Sequence, residues 1–401
     1  MKIIKDSQKI KELLEKGVEE IIDRKHLQKR LEAGEKLRIK HGVDPTGKKI
    51  HLGRSAQFLK LRAFQELGHQ IVLILGDFTA QIGDASDKMA MRKPLSEKEV
   101  KENMKDYLKQ IGKILDIEKA EIHYNSQWLQ KLTIKDLLSL EMKFTAQQMI
   151  QRRNFKERWD QGKSIGLHEL NYPLFQGYDS VAVKADLEIG GSDQLFNLKV
   201  GREIQKIFNQ PSQDIMTLKM LPGLDGRKMS TSWGNVVTIV DSADEIYGKL
   251  MSLDDKLISL YFELCTFLSL AQIKEIEGVL KEGKINPKDL KTKLAREIVG
   301  FYHGEKKAQR AEEEFNRVFK EKKLPSKIPV FYLTKNIYSF LDLLFDLKQV
   351  SSKSEAKRLI LQGGVKINGE VKKNWKEKIE IKEEMVIQVG KRKFIRLAIK
   401  K

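Results

Sequence analysis

Along the first eighty residues the apolar positions run in two rhythms. LRIKHGV (37–43) reads as a strand, and a turn, DPTGKK, follows it. A helix begins near Ser55, because Phe58, Leu61, Phe64 and Leu67 recur every three residues, and Gly68 ends it. IVLIL (71–75) is a continuous apolar run stopping at Gly76-Asp77, the pattern of a strand buried on both faces. Strand, helix and strand at this spacing predict an α/β fold with a doubly wound parallel sheet, Rossmann-like in outline. Ligands of such sheets lie beyond the carboxyl ends of the strands.

Further along, the rhythm changes twice. Residues 96–165 read as mostly helical, with Ser96 and Glu99 spaced for a capping box. Residues 241–325 read as helical throughout, rich in Leu, Lys and Glu. KEKKLPSKIP (320–329), charged and carrying two prolines, reads as a linker. Beyond it Ser352-Lys-Ser-Glu355 caps a short helix that ends at Gly363-Gly364. VKINGEVKK then turns a hairpin at Asn368-Gly369, and MVIQVGKRKFIRLAI turns another at Gly390-Lys391. These breaks predict a catalytic domain over 1–235 with a helical insertion, an α-helical domain over 236–322, a linker over 323–337 and a small α+β module over 338–401.

Composition adds charge. The 401 residues carry a formal net charge of +19, which attracts polyanions, nucleic acid first among them. The excess is uneven: residues 341–401 hold 16 Lys and Arg against 8 Asp and Glu, a balance of +8. No apolar run reaches the length of a membrane span, and MKIIKDSQKIKELLEK lacks the apolar stretch of a secretory signal, so a cytoplasmic protein with no membrane partner is expected. The single cysteine, Cys265 in YFELCTFL, reads as a small buried hydrophobe; neither an intramolecular disulfide nor a cysteine-built structural metal site is expected.

Two short motifs carry the chemistry. HLGR, His51-Leu52-Gly53-Arg54, falls between the first strand and the following helix, where backbone N–H groups and the positive dipole end converge on a phosphate. KMSTS, Lys228 to Ser232, lies between Gly223, Gly226 and Gly234, and a glycine-flanked loop with a lysine suits a mobile clamp on a leaving pyrophosphate. Either motif alone is more readily a helix start or a solvated basic loop than a phosphate site.

The pair, about 175 residues apart, resembles the signature of the class I aminoacyl-tRNA synthetases. GVDPTGKKIHLGR, GDFTAQIGD, YPLFQGYDS and GGSDQLFN, with the basic C-terminal module, narrow the resemblance to the tyrosine-specific branch in its bacterial form. That resemblance implies tyrosine activation by Mg-ATP, transfer to tRNA(Tyr), anticodon binding by the helical domain over 236–322, RNA binding by the module over 338–401, and a homodimer joined near residues 141–160. It assigns phosphate chemistry to His51, Arg54, Lys228 and Thr231, and ATP contacts also to Asp44, Thr46, Gly53 and Asp193. It assigns the tyrosine ammonium to Asp84, Tyr172 and Gln176, the phenol to Asp179, and the reacting carboxylate to Gln194. Tyr172, Gln176 and Asp179, four and three apart, share one face if that segment is helical.

This chain departs from the family pattern in three places. Thr231 replaces the second lysine of the usual KMSKS, Arg54 replaces the second histidine of the usual HIGH, and Lys40 stands where many members place a tyrosine facing the phenol. Rival readings are the tryptophan-specific branch, disfavoured by Asp179, a non-catalytic RNA-binding protein on the same scaffold, and a small-molecule nucleotidyltransferase, which has no use for the basic module.

Overall fold

A computed structural model describes residues 2–84, 94–229, 233–350, 352–390 and 393–399. The chain forms two compact units, Met1–Ala308 and Gln309–Lys401. The first is built on six strands: β1 (Val18–Ile22), β2 (Arg38–Val43), β3 (Gln70–Leu75), β4 (Glu121–Tyr124), β5 (Leu187–Gly191) and β6 (Asp214–Leu218). Their order is β1-β6-β5-β2-β3-β4. All neighbours run parallel except β1, which pairs antiparallel with β6. From β2 the chain moves outward through β3 and β4, then returns to lay down β5 and β6 on the other side. The carboxyl ends of β2 and β5 therefore flank a topological switch point, where open α/β sheets hold their ligands.

The local reasons are visible in the sequence. Ile71 to Leu75 of β3, a continuous apolar run, are buried as a strand of a covered sheet must be, and β5 and β6 are buried along their whole length with Glu188, Asp214 and Thr217 carried inside. The helix Leu52–Glu66 starts three residues before the expected Ser55. His51 is its N-cap and accepts the Arg54 N–H, so the cap is an imidazole rather than a hydroxyl or carboxylate. Gly68, at φ 95°, ends the turn after it.

Residues 96–165 are mostly helical, and the Ser96–Glu99 capping box is present, with Ser96 N donating to Glu99 Oε2 at 2.8 Å. The exception is β4: EIHY is too short for a strand rhythm to emerge from its helical surroundings, and only its pairing with β3 defines it. Helices Ala243–Leu250, Ile258–Cys265, Leu270–Lys281 and Pro287–His303 belong to the first unit. Lys16 Nζ donates to the carbonyls of Thr266 and Leu268, both at 2.7 Å, and His303 Nε2 lies 2.9 Å from the carbonyl of Asp241. Cys265 is buried, and burial pushes its thiol pKa well up.

The second unit has its own sheet of β7 (Val330–Leu333), β9 (Val365–Ile367), β10 (Glu370–Val371), β12 (Val386–Val389) and β13 (Lys393–Ile399), in the order β10-β9-β12-β13-β7. A two-stranded ribbon pairs β8 (Ile337–Ser339) with β11 (Lys378–Glu380). Helices Phe340–Asp346 and Lys353–Leu361 bury Phe340, Leu343, Leu344, Ala356 and Ile360 against Val365, Ile387 and Leu397. Asn368 and Gly369 both have positive φ, 47° and 87°, the requirement of the two-residue hairpin between β9 and β10. The stretch expected as linker contains β7, which pairs parallel with β13, Val330 opposite Arg396. Its four residues carry no turn punctuation that would have set them apart. Among the described residues no helix is long and apolar enough to cross a membrane.

Candidate active site

The HLGR segment and the chain that follows KMSTS are stitched together. Leu52 N donates to the carbonyl of Val237 and Ile239 N to that of Ile50, both at 2.9 Å, and His51 bridges Thr238. Met229 is drawn over the helix start. A β-carbon at Gly53 would sit 3.2 Å from the Met229 sulfur and 3.1 Å from His51 Nδ1, so only glycine fits there without displacing either. Two motifs far apart in sequence thus form one wall. Lys228, exposed, leads into Met229, and its carbonyl accepts from Asn235 Nδ2 at 3.0 Å. Thr231 lies outside the described residues.

His51 is neutral at pH 7, because burial first and Arg54 second lower its pKa to about 4. Its Nδ1 accepts the Arg54 N–H at 3.3 Å, so the ring proton sits on Nε2, which remains a donor. Arg54 serves the neighbouring loop. Its guanidinium donates to the carbonyl of Asp44 at 2.9 Å, to Thr46 Oγ1 at 2.8 Å and to the Tyr107 hydroxyl. Asp44 is held from three sides, since Oδ1 also accepts from Thr79 at 2.7 Å and Oδ2 from Tyr172 at 3.0 Å. Gly76 makes room for this: a β-carbon there would overlap Asp44 Oδ1 and Thr79 Oγ1.

The helix Leu167–Val183 carries Tyr172, Gln176 and Asp179 along one face, as their spacing predicts. Tyr172 is buried, and burial, followed by Asp44 and Asp84, raises its hydroxyl pKa well above the usual value. Asp179 is buried as well. Trp128 Nε1 donates to its Oδ1 at 2.7 Å and Asn125 Nδ2 to its Oδ2 at 3.3 Å. Burial raises its pKa to about 7, against the opposing pull of Lys40 and those two donors.

Behind this face runs a chain of polar contacts. Arg152 Nη2 donates to Asp84 Oδ1 at 2.6 Å, and Gln194 Nε2 to Asp84 Oδ2 at 2.6 Å. Asn197 Nδ2 donates to Gln194 Oε1 at 3.0 Å and to Gln176 Oε1 at 2.8 Å. Asp193, in the short turn after β5, lies 3.4 Å from Gln194 Nε2.

Lys40 departs from the expectation that placed it on a phenol. It is fully buried, and its three donors reach Gln176 O at 2.7 Å, Ser180 Oγ at 2.7 Å and Glu188 Oε1 at 2.9 Å. An ammonium has no fourth donor, so Lys40 braces the wall between β2, β5 and the Leu167–Val183 helix. Lys40 and Glu188 are register partners on adjacent strands. Glu188 is the lone charge of β5, and the register sets Lys40 of β2 beside it, but β2 also carries Arg38 and His41, so the sequence did not single out Lys40 as its partner. Trp128, Asn125 and Arg152 had no comparable sign, because they come from the insertion and meet the site only in three dimensions.

Comparison with known proteins follows the same line. The family described as tRNA synthetases class I (W and Y) matches residues 32–320, and the S4 domain matches residues 341–385. A tyrosine–tRNA ligase of Thermotoga maritima is 46% identical over 389 residues, 96% of either chain. Tyrosine–tRNA ligase 2 of Clostridium acetobutylicum is 44% identical over 392 residues, 96% of this chain and 98% of the relative. A solved tyrosyl-tRNA synthetase from Archaeoglobus fulgidus, complexed with L-tyrosine, shares the fold with a TM-score of 0.62 at 23% identity, over 76% of this chain and 99% of that one.

Proposed function

The chain belongs to the class I tRNA synthetases of the tryptophan and tyrosine group, and on that premise we infer that it is a tyrosine–tRNA ligase, activating tyrosine with ATP and passing it to tRNA. The observation that carries the tyrosine assignment within the group is Asp179, a buried carboxylate held by Trp128 and Asn125 at the foot of the face that Tyr172 and Gln176 share. A carboxylate there is satisfied by a phenol and left short of a partner by phenylalanine. Tyrosyl-tRNA synthetases are themselves the standard example of rejection by an unpaired buried polar group.

The reaction has two steps. A tyrosine carboxylate oxygen attacks the α-phosphorus of Mg-ATP, the bond to the pyrophosphate oxygen breaks, and tyrosyl-adenylate remains. The terminal adenosine hydroxyl of tRNA then attacks the carbonyl, and AMP leaves. No protein nucleophile is needed, so the side chains position groups and stabilise charge. In this reading Nε2–H of His51 donates to phosphate, while Lys228 and the Thr231 hydroxyl meet the leaving pyrophosphate. Arg54 holds Asp44 and Thr46 in place for the nucleotide, Gly53 lets the adenosine lie against the backbone, and Asp193 faces the ribose. Asp84, Tyr172 and Gln176 take the ammonium, and Gln194 orients the carboxylate.

Tyrosine-dependent exchange of pyrophosphate into ATP tests the reading. Exchange with tyrosine, none with tryptophan, and loss of exchange in Lys228→Ala are expected; exchange driven by tryptophan would defeat it.

A homodimer belongs to the same proposal. Ile134, Leu138 and Met142 form an apolar stripe four residues apart on the insertion, with Met142 77% exposed, and a second copy of the same stripe would cover it. Light scattering of Leu138→Glu/Met142→Glu against the parent chain checks this. A parent that runs as a monomer at micromolar concentration rules it out.

A further inference from the structure

Asp84 already has a cationic partner. Arg152 is only 4% exposed, its Nη2 lies 2.6 Å from Asp84 Oδ1, and its guanidinium carbon sits 5.3 Å from the centre of the Phe155 ring. Among the described residues Nε and Nη1 of Arg152 meet no hydrogen-bond acceptor. A buried guanidinium with five donors usually engages most of them, and this one holds Asp84 through Nη2. The other Asp84 oxygen accepts from Gln194, and the chain Asp84–Gln194–Asn197–Gln176 leads from this ion pair to the tyrosine face.

We propose that Arg152 is a resident counter-ion for Asp84, which the ammonium group of tyrosine must displace, so that Arg152 sets how strongly the site favours amino acids over ligands lacking an amino group. This rests on the reading of Asp84 as an ammonium ligand. The physical argument is exchange. A carboxylate largely withdrawn from water is costly without a cation, so a cation is kept on it before the substrate arrives. Tyrosine then trades one ion pair for another, and its ammonium gains only the difference between them. A ligand that keeps the phenol and carboxylate but lacks the amino group leaves the Arg152–Asp84 pair in place. Its binding is therefore blind to Arg152. The unengaged Nε and Nη1 of the guanidinium make the exchange feasible, because few bonds have to be broken to release it. Arg152 is on this account a positioning residue that acts through Asp84.

The test compares dissociation constants of tyrosine and of 3-(4-hydroxyphenyl)propanoate, tyrosine without its amino group, on the full chain. Arg152→Met keeps the stem against Phe155 and removes the competing charge. It should raise the preference for tyrosine over the analogue by about tenfold, since the ammonium then has no guanidinium to displace from Asp84. The analogue's own affinity, which involves neither residue, reports that the site is intact. Arg152→Lys keeps a cation within reach of Asp84 and should leave the preference within about twofold of the parent. An unchanged preference in Arg152→Met overturns the proposal, as does an Arg152→Lys preference as high as that of the methionine variant. Asp84→Asn separates the premise from the inference. If it lowers the preference while Arg152→Met does not raise it, only the exchange is wrong; if it leaves the preference untouched, Asp84 is not the ammonium ligand and both fall.

Discussion

At the scale of single residues, the site is set by close approaches and by one carboxyl group. Gly53 and Gly76 mark approaches of different severity. A β-carbon at Gly53 meets His51 and Met229 at slightly more than 3 Å, which small shifts relieve, whereas one at Gly76 overlaps Asp44 itself. Gly53→Ala should therefore slow adenylate formation about tenfold, near 1.4 kcal/mol, and leave thermal stability almost unchanged. Gly76→Ala should lower the melting temperature by several degrees as well. Equal effects in rapid-quench and calorimetric measurements would refute this ordering. Asp179 supplies a pH prediction. Its pKa rises to about 7 in the folded chain, so the folded state holds a proton that the unfolded state loses near pH 4. That contribution to stability is complete below about pH 4 and disappears as pH rises through 7. For binding, the carboxylate that accepts the phenol proton forms only toward pH 7 and above, so tyrosine affinity should fall from pH 8 to pH 6. Asp179→Asn should flatten that profile, weaken tyrosine activation and narrow the tyrosine-to-phenylalanine ratio of kcat/KM, because an amide faces two donors with one acceptor. A profile unchanged in the variant would show that Asp179 does not read the phenol. That Tyr172, Gln176 and Asp179 share one face was legible from their four- and three-residue spacing. What Asp179 and Asp84 actually touch was not, since Trp128, Asn125 and Arg152 lie at unrelated spacings on the insertion.

At the scale of elements, the helix Leu52–Glu66 has two working faces. One end carries HLGR. The other side carries Lys60, buried, whose Nζ donates to the carbonyl of Leu13 at 2.7 Å, in the last turn of the helix Ser7–Glu15. The ammonium satisfies an orphan carbonyl and meets the negative end of that helix. Burial nonetheless lowers its pKa to about 7, with Lys16 adding to the shift. The folded chain thus sheds a proton that the unfolded chain keeps up to its usual value near 10.4, and stability rises with pH across that window. Below about pH 7 the full cost of the buried charge is present. Lys60→Met should stabilise the protein by about 1–3 kcal/mol at pH 7, where desolvation outweighs one hydrogen bond, and should destabilise it by about 1 kcal/mol at pH 10, where only the bond is lost. Chemical denaturation at both pH values checks the change of sign. The helix itself was readable from its three-residue apolar rhythm. Lys60 was not, because a lysine in an amphipathic helix reads as solvated until the N-terminal helix packs against it.

At the scale of the whole molecule, the chain is two units with separate cores. The β9–β10 hairpin of the second unit was legible from Asn368-Gly369 and its helix Lys353–Leu361 from the Ser352 cap, and Lys391 of the other expected turn lies outside the described residues; β7 was not legible, since its partner β13 lies at the far end of the chain. A clean removal of the module must therefore include β7. Deleting residues 324–401 should leave pyrophosphate exchange within about twofold while aminoacylation falls by more than tenfold. The salt dependence of tRNA binding should flatten by roughly one unit of slope for each phosphate the module neutralises. Exchange that falls in step with aminoacylation would make the module part of the catalytic fold. The antiparallel pairing of β1 with β6 has a further consequence, for synthesis rather than catalysis. Val18 pairs with Leu218 and Ile22 with Ile215, and β2 is flanked on one side by β5, so no sheet containing the N-terminal strand is complete until residue 218 has been made. At about 5–20 residues per second, β1 waits on the order of ten to forty seconds beside the ribosome with its hydrogen-bonding edge open. Made before the other five strands of its sheet, β1 pairs only when the last of them is made, and during that interval the nascent chain depends on whatever shields an unpaired edge from its neighbours.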